Sequence, residues 1–182
     1  MFNGGGYHAL GQNTNKTIET RLSVRPLPGI ISGLQFSYGG AYGKGNTSLE
    51  PDYTMHTGIA SFESQHIRTV ALLYNGTGNY KGSNLAADGD AADFEGYSGF
   101  CDAGLPGAPF HVFGQYDHLV MQDIGGEIRT NTIIAGVAWY WHKQSKIVFD
   151  FGKETMEYDD AIAPENLPAD DIRYKLSIEV NY

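Results

Sequence analysis

The feature that most constrains this chain is an alternation of apolar and polar residues with a period of two, clearest in residues 172–182. One parity holds Ile172, Tyr174, Leu176, Ile178, Val180 and Tyr182, and the other holds Arg173, Lys175, Ser177, Glu179 and Asn181. Because successive side chains of a β-strand point to opposite faces, this segment predicts a strand with one apolar and one charged face. No stripe with the period of a helix continues for three turns, so the pattern predicts an all-β fold.

The same alternation recurs upstream, and in total the sequence predicts about nine strands. Asp93–Cys101 shows it most weakly and is assigned by its place in the order. The predicted strands are Ile18–Val24, Leu34–Tyr42, Tyr53–Phe62, Ile67–Tyr74, Asp93–Cys101, Phe110–His118, Ile133–His142, Ile147–Glu154 and Ile172–Tyr182.

The predicted connections alternate between short and long. The short ones are Pro26–Ser32, Glu63–His66, Asp102–Pro109 and His142–Ser145, and the long ones are Gly43–Asp52, Asn75–Ala92, Leu119–Arg129 and Glu157–Asp170. Outer-membrane barrels have short turns on one side and long loops on the other. A closed sheet also pairs every backbone amide internally, as lipid requires. The sequence therefore predicts one domain, residues 1–182, forming a transmembrane antiparallel up-and-down β-barrel whose long loops lie outside the cell.

Composition excludes several classes of protein. Acids outnumber bases 21 to 12 among 182 residues, and the absence of a basic stripe argues against nucleic-acid binding. No apolar run reaches 18 residues, so no membrane-spanning helix is predicted. The single cysteine, Cys101, cannot form an internal disulfide. Met1–Gly6 lacks the features of a signal peptide, from which we expect either a mature chain or a missing N-terminal part.

Several segments resemble the bacterial porin O and P family of phosphate-selective porins. Glu19–Pro28 is similar to a family strand that carries arginine and ends in a basic residue and proline, and Gly33–Gly39 is similar to the Gly-Leu-Gln strand that follows it. Phe110–Asp117 resembles a later strand, although Gln115 stands where the family usually has arginine. Residues 136–152 are similar to the closing hairpin.

The resemblance covers most of the chain as diffuse motifs and matches roughly the C-terminal half of such a porin. It implies a barrel of about sixteen strands, often trimeric, with the upstream strands absent here. Two alternatives stay open at this point. Phe2–Gln12 could hold a remnant tenth strand, or the chain could be a complete eight-stranded barrel in which one strand has been counted too many.

Charged side chains of one parity are expected to line a wet interior. They are Glu19, Arg21, Arg25, Asp117, Asp150, Glu154, Arg173, Lys175 and Glu179. They could sort ions by sign, or pair across strands to hold the sheet together. Their signs are mixed and the loop at 157–171 is acidic, so we expect a weak cation preference rather than phosphate binding.

Aromatic residues of the other parity are expected to lie against lipid or in the interfacial girdles: Trp139, Trp141, Tyr174 and Tyr182. We predict no catalytic, cofactor or metal site. Residues 88–95 carry acids at calcium-like spacing, but Asp93 and Gly99 occupy positions where an EF-hand loop needs glycine and glutamate.

These observations together predict an outer-membrane porin of a Gram-negative bacterium, a passive channel and not an enzyme. The expected partners are outer-membrane lipid, lipopolysaccharide, the barrel-assembly machinery and further copies in a homotrimer. One alternative is a small structural or adhesive barrel without conductance. Another is a soluble lipocalin-like barrel, which would bury Trp139 and Phe149 and expose Arg173 and Lys175. An outer-membrane enzyme is a more distant alternative. Asn75–Ala92 is the candidate constriction loop.

Overall fold

The computed structural model describes residues 2–3, 16–86, 88–123, 126–142, 145–159 and 170–181, and within these ranges every regular element is a β-strand. The strands are β1 Phe2–Asn3, β2 Lys16–Val24, β3 Leu34–Lys44, β4 Asp52–Glu63, β5 Ile67–Thr77, β6 Asp93–Gly104, β7 Phe110–Asp123, β8 Gly126–His142, β9 Ser145–Tyr158 and β10 Asp171–Glu179. The all-β prediction and its nine strands are confirmed, and β1 is a further strand of two residues.

All ten strands form one sheet in chain order, and each pairs antiparallel with the next. The alternative that one strand had been counted too many is wrong, because β2 to β10 each contain at least nine residues. Among the described residues no pair joins β1 to β10, so the sheet is open at these two edges. The remnant strand considered in Phe2–Gln12 is represented by β1 alone, and residues 4–12 lie outside the described ranges.

The connections agree only partly with the predicted alternation. We call the end of the sheet with connections 25–33, 64–66, 105–109 and 143–144 the turn end, and the end with 45–51, 78–92, 124–125 and 159–170 the loop end. The long loop predicted at Leu119–Arg129 is wrong, because only residues 124 and 125 separate β7 from β8. Pairs such as Leu119 with Thr130 extend the ladder there. The connection 25–33 is longer than the short connection predicted at Pro26–Ser32.

Register divides the sheet into two faces, since directly opposed residues of paired strands share a face. The charged face contains Glu19, Asp117 and Lys175, and the apolar face contains Leu22 and Leu73. A one-residue slip would exchange the two faces of a strand, so the agreement across nine strands fixes the register strongly.

Few large side chains are buried in this single-layered sheet. Among the described residues, the buried hydrophobic ones are Ala41, Tyr53, Ala92 and Ala138. By contrast, Leu73 and Leu176 are each 67% exposed. Continuous apolar surfaces of this kind mark a site of contact with another apolar phase or partner. In the part of the chain that the structure describes, no helix is long and apolar enough to cross a membrane.

Candidate functional site

The charged face brings together the residues predicted to line an interior. Glu19 and Arg21 lie on it in β2, Asp117 in β7, Asp150 and Glu154 in β9, and Arg173, Lys175 and Glu179 in β10. Arg25 directly follows β2, and its Nε donates to Gln35 Oε1 at 3.3 Å. Most of these charges therefore lie near the two edges of the open sheet.

Near the turn end, cross-strand ion pairs form a belt on the charged face. Lys146 Nζ lies 3.2 Å from Glu179 Oε2, on the same two strands as the Lys175–Asp150 register pair. Two further pairs, Arg68 with Glu63 at 3.0 Å and His111 with Asp102 at 2.8 Å, continue the belt across β4 to β7. Of these residues, the sequence prediction named only Asp150, Lys175 and Glu179. In the structure the others lie on the same face of the sheet.

Three carboxylates occur in one register row of the charged face, a row being residues directly opposite one another on successive strands. Asp117 opposes Thr132, Thr132 opposes Glu154, and Glu154 opposes Asp171. Gln115 Nε2 donates to Asp117 Oδ2 at 2.7 Å, and the Thr132 hydroxyl donates to Glu154 Oε2 at 3.3 Å. Among the described residues, neither Asp117 nor Glu154 makes an ion pair. The row is therefore acidic, and the base Arg173 lies over Gly152, two residues from Glu154 on β9.

Toward the loop end, the charged face becomes apolar, which the sequence analysis did not predict. The side chains concerned are Met55, Tyr74, Phe94, Leu119, Met121 and Met156, which we call the methionine–aromatic patch. Met121 opposes Phe94, which opposes Gly76, which opposes Met55, so one row crosses four strands. Met121 and Met156 escaped prediction because they lie beyond the predicted strands, and Phe94 because it lies in the predicted strand with the weakest alternation.

Two rings of this patch lie along the sheet over glycines of the neighbouring strand. A Cβ built on Gly76 would lie 2.7 Å from Phe94 Cζ, and one built on Gly96 would lie 2.6 Å from Tyr74 Cζ. The Tyr74 hydroxyl reaches across β6 and donates to the carbonyl oxygen of His118 at 3.5 Å. Glycine at these positions therefore makes room for the rings, whose faces are left toward the charged side of the sheet.

The apolar face carries the predicted aromatic residues and a second set that was not predicted. Trp139 and Trp141 lie near the turn end, with ring centroids 6.2 Å apart. Tyr174 packs against Phe151, with ring centroids 5.5 Å apart. Tyr182 lies outside the described residues. Toward the loop end, a belt of ring side chains borders the apolar surface: Tyr38, Tyr42, His56, Tyr97, Tyr116 and His118. This arrangement places rings on both borders of an apolar band.

The loop-end rings also carry hydrogen bonds. The Tyr38 hydroxyl lies 2.6 Å from His56 Nδ1, and the Tyr116 hydroxyl donates to Asn131 Oδ1 at 2.9 Å. His118 Nδ1 lies 2.7 Å from the same oxygen. Rings with one apolar side and one polar tip are suited to a boundary between an apolar and an aqueous phase.

The remaining candidates show no assembled chemistry. Among the described residues, no group of three or more His, Cys, Asp or Glu side chains is placed to hold a metal ion. In the acidic loop, the Asp90 amide donates to Asp88 Oδ1 at 3.0 Å. Cys101 is exposed. The candidate constriction loop contacts the connection 45–51, since the Asn46 amide donates to the Tyr80 carbonyl at 3.0 Å.

Comparison with protein-family models, curated proteins and solved structures finds no match to this chain. The resemblance to the porin O and P family therefore stays a prediction. What the structure defines is a class of fold: a single antiparallel up-and-down sheet with one apolar face and one partly charged face.

Proposed function

We propose that this chain forms all or part of a transmembrane β-barrel in the outer membrane of a Gram-negative bacterium. In this proposal it is a porin, a water-filled channel for passive diffusion of small hydrophilic solutes and ions. The observation that carries the proposal is the separation of the two faces. One carries a broad, exposed apolar band that is bordered by rings and, toward the loop end, by the ion pairs of Lys44 with Asp52 and of Arg129 with Glu127. The other carries the turn-end ion pairs and the carboxylate row.

The apolar face is better explained by lipid than by water. Leu22, Leu73 and Leu176 are each about two-thirds exposed, and burying a side chain of this size is worth about 1.5–3 kcal/mol. A lipocalin-like barrel would instead turn this face inward. The structure favours the opposite curvature, because the apolar-face residue Leu73 is 67% exposed while its charged-face neighbour Leu72 is only partly exposed.

Strand direction sets a condition on how the sheet would close. β2 and β10 run in the same direction because eight antiparallel pairings separate them. Antiparallel closure, as in known outer-membrane barrels, therefore needs an odd number of strands between β10 and β2. β1, antiparallel to β2, is one such strand. A ten-stranded barrel and the sixteen-stranded barrel implied by the resemblance both satisfy this condition.

The partners follow from the same proposal. Lipid and lipopolysaccharide would contact the apolar face and its loop-end belt, where rings and polar groups meet. The barrel-assembly machinery would recognise the last alternating strand. Further copies of the chain would associate as a homotrimer. None of these partners requires chemistry at a catalytic centre.

Ion selectivity gives a direct test of the channel. The charged face carries Asp117, Asp150 and Glu154 beside Arg173 and Lys175, and its carboxylate row has no base in it. We expect the protein in planar bilayers to conduct, with potassium more permeant than chloride in a reversal-potential measurement. Replacing two of the three row carboxylates, as D117N and E154Q together, should lower that preference.

Glu95→Gln is the matched control. Glu95 lies on the apolar face, so its replacement should leave the reversal potential unchanged. Clear chloride preference in the parent protein would contradict the charge assignment. Absence of any conductance would contradict the channel itself.

A second candidate function is a small structural or adhesive outer-membrane barrel without conductance. The methionine–aromatic patch favours it, because apolar side chains on an inner face can fill the interior of a small barrel. The conductance measurement separates the two candidates, since a filled barrel passes no current.

A further inference from the structure

Two aromatic faces are presented on the charged face of the sheet, near the loop end. Phe94 and Tyr74 lie along the sheet over Gly76 and Gly96, with ring centroids 6.3 Å apart and a tilt of 44°. The bond from Tyr74 to the His118 carbonyl holds one of the rings down. Rings in this position offer their π-faces, which attract cations and stack on other rings.

Methionine surrounds these rings. Met55 and Met121 share the row of Phe94, and Met156 lies in the row of Leu119. These three are all the methionines of the chain except Met1. Methionine is flexible and polarizable, makes favourable contacts with aromatic rings, and is common on surfaces that accept apolar groups of varied shape.

The carboxylate row lies one row farther from the loop end. Asp117 is two residues from Leu119 on β7, and Glu154 is two residues from Met156 on β9. Two residues of a strand span about 7 Å. An apolar, π-rich surface therefore adjoins two acids that have no ion-pair partner among the described residues. A ligand that matches both parts carries a ring and, a short distance away, a positive charge.

We infer that the methionine–aromatic patch, with Asp117, is a binding subsite for small solutes that combine an aromatic ring with an amine cation. This inference rests on the proposed channel and names the solute class that the channel retains along its wall. The ring stacks on Phe94 and Tyr74, and the ammonium group binds Asp117 in the carboxylate row. Aromatic anions are repelled by that row, and aliphatic cations lack the stacking contact.

Block of the potassium chloride current tests this inference in the refolded protein. The probes are phenethylammonium, phenylacetate and butylammonium. Phenethylammonium should reach half-block at a concentration about tenfold lower than either of the others, which corresponds to about 1.4 kcal/mol of extra binding. D117N should raise that concentration several-fold. Glu95 is next to Phe94 in sequence but lies on the other face, so E95Q should leave the half-block concentration unchanged.

Saturation-transfer NMR of phenethylammonium with detergent-refolded protein separates failure of the inference from failure of the channel. Transfer to the ring protons that weakens in D117N supports the subsite even if the protein conducts no current. Equal block by the three probes, or no transfer in a protein that does conduct, overturns the subsite and leaves the channel standing.

Discussion

Replacing Leu176 with arginine is expected to destabilise the folded protein in phospholipid bilayers by about 2–4 kcal/mol. Leu176 is 67% exposed, opposes Phe149 on the apolar face, and lies near the middle of β10 along the strand direction. Arginine near the bilayer midplane costs this much in outer-membrane barrels. Urea titration of the protein in vesicles, followed by gel mobility and tryptophan fluorescence, measures the change in free energy of unfolding.

The adjacent residue provides the matched control. Ser177 opposes Val148 on the charged face, so Ser177→Arg should change the free energy of unfolding by less than about 1 kcal/mol if that face meets water. An exposed leucine in a water-soluble protein would tolerate arginine equally well. Equal, small effects at both positions would therefore argue that Leu176 faces water.

Gly96→Ala is expected to cost about 1–3 kcal/mol, the usual range for added volume in a packed site. A Cβ on Gly96 would overlap the His118 carbonyl oxygen and lie 2.5 Å from the Tyr74 hydroxyl oxygen. The backbone contact cannot be relieved by a side-chain rotation, so the β6–β7 ladder must shift. The midpoint of urea unfolding in vesicles reports the cost.

Gly99 lies on the same strand but on the apolar face, and a Cβ there would meet nothing within 4 Å. Gly99→Ala should therefore be neutral or stabilise the protein by about 0.5–1 kcal/mol, because alanine loses less backbone freedom on folding than glycine. If both variants lose the same stability, the rings of the charged face do not lie over the glycines as described.

Much of the fold could be predicted because the alternation within each strand indicates its two faces, and pairing with the next strand places the same faces side by side. Leu176 and Lys175 are assigned to opposite faces by adjacency alone, and pairing with β9 carries the assignment to Phe149 and Asp150. The strand Asp93–Cys101, the weakest by pattern, is present because its neighbours pair with it on both sides.

Turn chemistry misled the prediction at one connection. The sequence predicts a long loop at Leu119–Arg129, which contains the adjacent Gly125 and Gly126, since paired glycines commonly occur in loops. In the structure β8 begins at Gly126 and continues the ladder opposite Asp123. The loop-end strands therefore extend farther than the hydrophobic pattern does, because backbone pairing does not require an apolar side chain.

The methionine–aromatic patch could not be predicted from local pattern for a different reason. Met55, Phe94 and Met121 are far apart in sequence, and only the register of four strands places them in one row. The ring positions of Phe94 and Tyr74 further depend on glycines of neighbouring strands. The alternation within a strand indicates which face a residue lies on, but not which residues of other strands lie beside it.

The central claim is that the apolar face meets lipid and the charged face meets water, and spin labels along β10 test it most directly. Single cysteines at residues 174–179, in a Cys101→Ser background and in vesicles, would be scored for collision with oxygen and with a water-soluble nickel chelate. We predict that labels at 174, 176 and 178 collide with oxygen and those at 175, 177 and 179 with nickel. Nickel access at 176 and 178 equal to that at 175 and 177 would contradict the account.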